Sequence, residues 1–334
     1  MMIHNSLEDL IGNTPILSIK GGLVPYNKEL LLKLEYFNPN FSIKDRTAFG
    51  LIKYSIENGN LRPGDIIIES TSGNLGKSLA MFGASKNFEV ILIVDPKIDK
   101  SLLNMYKAYG ADVITVTEKD DKGGYQKTRI NKVKEIINSN PEKRYFWPNQ
   151  YENIFNQKYH YQVTSNEFLN INTDFITSPV STGGHLSGIA KKLKELNKKL
   201  DIIGADVRGS CIFENNPKSY LLNGVGLSWK SNNLKEEYLD WYSIVSDELA
   251  ISVCRYFSEN YGLLIGGSAG LSIATALKAL QTSDYNKGLA IVPDTGINYL
   301  NQIYDDKWVS DNGISLKQGK ELYESINAIK IKEV

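Results

Sequence analysis

Short apolar runs alternate with amphipathic stretches along most of this chain, and that alternation predicts its architecture. Strand-like runs lie at Ile66–Glu69, Val90–Val94, Val113–Val116, Phe175–Pro179, Ile202–Ala205 and Leu289–Val292. Helical periodicity fills Leu75–Lys86, Ser101–Tyr109 (stopped by Gly110) and Thr47–Asn58 (closed by Gly59). Strands that alternate with helices predict an α/β fold, with parallel sheets wrapped by helices. Ligands in such folds gather at strand C-termini, where helices begin. Three polar, glycine-rich turns occupy such places: Thr71–Asn74, Ser181–Gly188 and Gly266–Gly270. The last is read as following an apolar strand, Leu263–Ile265. No repeat, low-complexity tract or proline-rich linker marks a domain boundary.

Composition narrows the classes of function. At 334 residues the chain can form two domains or one large bilobed unit. Basic and acidic residues both number 38, so the net charge is zero and neither nucleic acid nor an anionic membrane surface is the expected partner. Cys211 and Cys254 are far apart in sequence, which fits a reducing compartment and excludes a disulfide framework. His4, His160 and His185 have no metal-ligand spacing. The segment Met1 to Asp9 lacks the basic start and apolar core of a signal peptide, and no apolar run approaches the ~20 residues of a membrane span. The expectation is a cytoplasmic, metal-free protein.

Four segments carry candidate chemistry. Ser42-Ile43-Lys44-Asp45-Arg46 places a lysine on a short polar loop just before a helix. By itself it also reads as an ordinary charged helix start, with Asp45 favoured by the helix dipole. Thr71-Ser72-Gly73-Asn74 puts hydroxyls and free amides at a helix N-terminus, which suits a carboxylate, although Ser72 or Asn74 as helix cap is the simpler reading. Val180-Ser181-Thr182-Gly183-Gly184-His185 opens another helix with small residues, as a phosphate cradle does. Gly266-Gly267-Ser268-Ala269-Gly270 forms a tight corner that needs glycine. A lysine near convergent donors is what a pyridoxal phosphate (PLP) enzyme requires.

Taken in order, these motifs resemble the fold type II PLP enzymes, the group of the cysteine synthases and cystathionine β-synthases. Gly12-Asn13-Thr14-Pro15 and Gly224-Val225-Gly226 add to the likeness, which spans residues 12 to 300. The resemblance implies two lobes, each with a mainly parallel sheet flanked by helices. Residues 1–12 and 35–147 would form a smaller mobile lobe, and 13–34 and 148–334 a larger cofactor-binding lobe. It implies a homodimer with PLP on Lys44 as a Schiff base. Ser181, Thr182, Gly183, Gly184 and His185 would hold the phosphate, Ser268 the pyridine nitrogen and Asn74 the ring oxygen. Thr71, Ser72, Asn74 and Gln150 would grip the substrate carboxylate. Asp294 would support the same region. Two positions depart from the usual Gly-Thr-Gly-Gly-Thr loop: Ser181, whose hydroxyl is available to the substrate side, and His185, read as a phosphate ligand with a surface helix residue as the alternative.

The family's reaction is β-replacement on an O-activated L-serine through an α-aminoacrylate, with Lys44 moving the α-proton. Specificity then lies in the leaving group and the nucleophile. Gly123-Gly124-Tyr125-Gln126-Lys127-Thr128-Arg129, Val180-Ser181-Thr182 and Asp206–Phe213 look most like the siderophore-pathway branch, which joins O-phospho-L-serine to L-glutamate and yields a 2,3-diaminopropionate precursor. Both substrates are anionic, and an arginine fork suits either. Arg129 is therefore the candidate contact, with Tyr151 and Ser181 beside it; a solvated helix face is its alternative reading. Trp229 and Lys230 depart from that branch. A cysteine synthase or cystathionine β-synthase-type enzyme with a thiol nucleophile is the second expectation. A degenerate ligand-binding paralogue is the third, opposed by the presence of Lys44, Asn74 and Ser268.

Overall fold

The computed structural model describes residues 3–120, 124–282 and 284–334; Met1, Met2 and Gly123, named above, lie outside them. The described strands are β1 (Ile16–Ile19), β2 (Glu29–Leu34), β3 (Ile66–Ser70), β4 (Glu89–Val94), β5 (Asp112–Thr115), β6 (Tyr145–Phe146), β7 (Phe175–Pro179), β8 (Asp201–Val207), β9 (Trp241–Val245), β10 (Lys287–Val292) and β11 (Ile331–Glu333). The fold is α/β, with two sheets of mostly parallel strands flanked by helices. The chain divides into two compact units. The first comprises residues up to Ile11 together with Lys44–Tyr159, and the second comprises Gly12–Ile43 and His160–Val334.

The first unit holds a four-stranded sheet in the order β5-β4-β3-β6, parallel throughout. Every residue of β3 is buried. Its neighbouring isoleucines serve opposite faces: Ile67 packs with Leu75, Leu79, Phe82 and Leu92, while Ile68 packs with Ile93, Val116 and Val133. This two-sided burial explains why β3 and β4 read as unbroken apolar runs.

The second unit holds seven strands in the order β1-β2-β10-β7-β8-β9-β11, parallel except for the antiparallel edge pairs β1–β2 and β9–β11. Periodicity did not reveal β2. Its run is broken by Lys33, only 2% exposed, which donates to the Thr14 carbonyl and pairs with Glu167 at 2.6 Å. The expected strand at Leu263–Ile265 does not form. The helix Asp247–Tyr261 ends at left-handed Gly262, and the Leu263 amide turns back to the Phe257 carbonyl as part of that helix stop. Ile265 alone then makes an antiparallel bridge, to Thr295.

Candidate active site

In the first unit Lys44 is the first residue of the helix Lys44–Glu57, rather than part of the loop before it. Buried Asp45 fixes that start. Ser78 Oγ donates to Asp45 Oδ1 at 2.6 Å and lies 3.0 Å from the Asn74 carbonyl. The start of the lysine helix is thereby tied to the helix Asn74–Lys86, whose first residue is Asn74. Neither Ser72 nor Asn74 caps that helix: Gly73 is the N-cap, with no side-chain cap hydrogen bond. Thr71 is buried, and its hydroxyl accepts from the Gly73 amide at 3.3 Å.

Ser72 is held by charge. Its hydroxyl donates to Asp95 Oδ2 at 2.8 Å and accepts from the Asp95 amide at 3.0 Å. Arg129 Nη1 donates to the same hydroxyl at 2.7 Å and to Asp95 Oδ2 at 2.9 Å. The Arg129 side chain is 8% exposed, so the solvated-face alternative is overturned. Its Nε is buried and has no hydrogen-bond partner among the described residues. Fully buried Tyr106 donates to the Gly73 carbonyl at 2.6 Å, closing the same loop.

Gln150 reaches this region through Glu69, the fourth residue of β3. Glu69 Oε1 accepts from the Ser70 amide at 2.7 Å and from Trp147 Nε1 at 3.2 Å, while Oε2 accepts from the Gln150 amide at 3.3 Å. No cation offsets the cost of burial among these contacts, and burial pushes the Glu69 carboxyl up to about 7. The Gln150 carbonyl accepts from Asn156 Nδ2 at 2.9 Å. Tyr151, next in sequence, is buried, and burial raises its phenol above the ordinary range.

In the second unit the helix Gly184–Glu195 starts just after β7. Gly183 is its N-cap, at φ 79°, and no side chain caps it. A Cβ at Gly183 would lie 2.5 Å from Leu234 Cβ, so both conformation and packing require glycine there. His185 is buried, with Nε2 at 2.5 Å from Ser178 Oγ on β7, which overturns the surface-helix reading. Its ring lies 6.0 Å from that of His160, whose Nδ1 is 3.0 Å from Thr164 Oγ1. Ser181 Oγ lies 3.5 Å from the Gly226 carbonyl, and the Gly226 amide donates to Val180 at 3.0 Å. The Gly224–Gly226 turn thus lies against the start of the Ser181–His185 loop. Lys230, farther along, pairs with Glu236 at 2.6 Å.

Ser268 is buried in the first turn of the helix Gly267–Thr282. Its hydroxyl is 3.5 Å from Asp294 Oδ1, and Tyr299 donates to Asp294 Oδ2 at 2.6 Å. Any Cβ at Gly266 would run into Asp294 Oδ1.

A model of the family described as pyridoxal-phosphate dependent enzyme matches residues 7–294. The chain belongs to that family. Solved structures agree with it. A hydrogen sulfide-producing enzyme from Fusobacterium nucleatum is 31% identical with a TM-score of 0.82, over 89% of this chain and 100% of that one. The cysteine synthase of Entamoeba histolytica is 29% identical with a TM-score of 0.87, over 98% and 96%. The O-acetylserine dependent cystathionine β-synthase of Helicobacter pylori is 29% identical with a TM-score of 0.83, over 91% and 100%.

The residues of this PLP enzyme fit the cofactor. The helix start at Gly183 has no side-chain cap hydrogen bond, which suits a phosphate. Ser268 offers a neutral hydroxyl, and Lys44 an amine at the head of a well-anchored helix. Sequence reasoning missed Asp95, Tyr106 and Ser178, and read Glu69 only as a strand end. Asp95 did leave a signal, an acid closing the apolar strand β4. Tyr106 left none, because an aromatic in an amphipathic helix reads as core.

Proposed function

We propose that this PLP enzyme catalyses β-replacement on an O-activated L-serine. O-phospho-L-serine is the favoured donor and the amine of an amino acid such as L-glutamate the nucleophile, giving a 2,3-diaminopropionate precursor. The observation that carries the anionic part of this reading is Arg129. It is a buried guanidinium bonded to the Ser72 hydroxyl, and its Nε has no hydrogen-bond partner among the described residues. Guanidinium forks suit phosphate and carboxylate groups. Tyr151 and Ser181 complete the proposed recognition of the acceptor. The enzyme works as a homodimer in the cytoplasm, the first of which light scattering checks.

PLP, when bound, supplies the electron sink that acidifies the substrate Cα–H and lets the β-substituent leave. Lys44 Nζ would hold the cofactor, and its amine would take the substrate's Cα proton and return it after the nucleophile adds. Ser181, Thr182, Gly183, Gly184 and His185 would hold the phosphate, Ser268 would serve the pyridine nitrogen and Asn74 the ring oxygen. A neutral serine there leaves the ring less electron-withdrawing than a carboxylate would, which suits prompt loss of the β-substituent. Thr71, Ser72, Asn74 and Gln150 orient the substrate carboxylate; the Ser72 backbone serves this role while its hydroxyl is bonded to Asp95 and Arg129.

A thiol nucleophile is the second reading, favoured by the names of the sulfur-handling relatives above. The holoenzyme is incubated with O-phosphoserine or O-acetylserine and, in turn, glutamate, sulfide or homocysteine, with products identified by mass spectrometry. A glutamate adduct is the expected result. If only sulfide or homocysteine is incorporated, the amine reading fails and the thiol reading takes its place.

A further inference from the structure

The second unit contains a cleft of about 620 Å³ at the β8–β9–β11 edge of its sheet. That volume lies within the range of small-molecule sites, ~300–1,000 Å³. None of the residues assigned above to cofactor or substrate lines it. Val245, Leu249 and Ile329 give it a buried apolar floor. Its charged lining is unequal: Arg208, Lys218, Lys317, Lys330 and Lys332 against Glu214 and Glu248.

The two acids are already engaged. Glu214 pairs with Lys332, and Glu248 lies 3.8 Å from Lys317, which also pairs with Glu321 at 2.7 Å. Arg208, Lys218 and Lys330 have no ion pair among the described residues. In a chain with no net charge, three uncompensated cations around one apolar floor do not follow from overall basicity.

The backbone sets the wall that carries two of them. The Arg208 amide donates to the Val245 carbonyl at 2.8 Å, extending the β8–β9 ladder by one residue. Gly209 follows at φ 101°, and its carbonyl accepts from the Lys218 amide at 3.1 Å. A Cβ at Gly209 would lie 2.5 Å from the Lys218 carbonyl oxygen, so glycine permits the close return of the loop. Arg208 and Lys218 are thereby brought to one wall from opposite ends of that loop. Lys330 arrives separately, immediately before β11.

We propose that this cleft is a second ligand site, distinct from the cofactor and substrate residues, which takes a small phosphorylated organic anion. The apolar floor receives the organic portion and Arg208, Lys218 and Lys330 the phosphate, with the pairs Glu214–Lys332 and Glu248–Lys317 at the margin. Being solvent-facing, these charges attract the anion in a salt-dependent way. The inference is independent of which nucleophile the enzyme uses.

The test is calorimetric titration of the PLP-loaded enzyme with phenyl phosphate and, separately, inorganic phosphate, while the cofactor's absorbance is followed. Phenyl phosphate is expected to bind without changing the absorbance, more tightly than inorganic phosphate, and more weakly as salt rises. The triple variant Arg208→Ala, Lys218→Ala, Lys330→Ala is expected to bind phenyl phosphate about tenfold or more weakly, with turnover unchanged. The charge-reversal variant Lys218→Glu gives the same direction of change from a single exposed position if the triple variant folds poorly. Equal affinity in wild type and Lys218→Glu overturns the proposal. So does binding that perturbs the cofactor absorbance, because the anion is then at the reaction site, and so does the absence of any binding heat.

Discussion

The loops Thr71–Asn74 and Ser181–His185 have the same origin and opposite construction. Each leaves a fully buried parallel strand, β3 or β7, and each opens a helix without a side-chain cap. The first is fixed by buried charge and hydrogen bonds: Arg129 and Asp95 on Ser72, Tyr106 on Gly73, and Glu69 on the Gln150 segment. The second is fixed by shape, with Gly183 against Leu234 and the short His185–Ser178 contact beneath. Charge networks confer directionality, which suits a loop proposed to recognise substrates. Close packing suits a loop proposed to hold one unchanging phosphate. The first loop is therefore expected to be sensitive to charge and pH, and the second to volume.

The most severe change on the charged side is Lys44→Ala. It is expected to abolish turnover and the absorbance of covalently held cofactor while circular dichroism stays native. Borohydride reduction followed by peptide mapping places the label in the wild type. A label on another lysine removes Lys44, and with it the chemical half of the comparison.

Arg129→Ala comes next. It leaves Asp95 buried without its cation, a change that typically costs ~3–5 kcal/mol. Condensation onto glutamate is expected to fall far more than PLP affinity, and the two measured together give the contrast. Equal loss in both assigns Arg129 to the fold alone.

Gly183→Ala is the matching test on the packed side. A left-handed position with a methyl group forced against Leu234 is expected to cost ~1–3 kcal/mol, read as weaker PLP binding with little change in pH profile. A strong pH dependence of the defect would erase the proposed difference between the loops.

Glu69→Gln is the change with the sharpest pH signature. Folding raises this carboxyl from 4.5 to about 7, so the folded state binds the proton more tightly than the unfolded chain does. Its contribution is complete below pH ~4.5 and is lost as pH rises to about 7. Glutamine does not titrate, so the stability of Glu69→Gln relative to wild type should rise by up to ~3 kcal/mol across that window, measured by urea unfolding at several pH values. A constant difference between the two proteins at all pH values would count against a titrating Glu69.

Much of the fold was legible before the structure because most of its parallel strands are largely buried and so read as apolar runs; β5, a half-exposed edge strand, was legible by its apolar residues alone. Six apolar runs marked β3, β4, β5, β7, β8 and β10 to within a few residues. The edge strands β1, β6 and β11 were not legible, being short or half-exposed, and β2 was concealed by its buried lysine. Leu263–Ile265 had the composition of a strand, but the helix stop at Gly262 claimed the amide of its first residue.

The order and spacing of Lys44, Thr71–Asn74, Ser181–His185 and Ser268 are properties of the sequence alone, and they suffice for the family and its cofactor. Glycine at 183 and small polar residues at strand ends are local requirements, so they appear as local signals. What surrounds Ser72 is different. Arg129 lies 57 residues from it, and Gln150 lies 81 residues from Glu69. No periodicity links such positions, because each pair is created by the stacking of helices on a sheet and by the cost of burying a charge without a partner. The sequence determined that a charged residue stood at 129. Only the tertiary structure decided that it would be buried, paired with Asp95 and bonded to the loop proposed to meet the substrate.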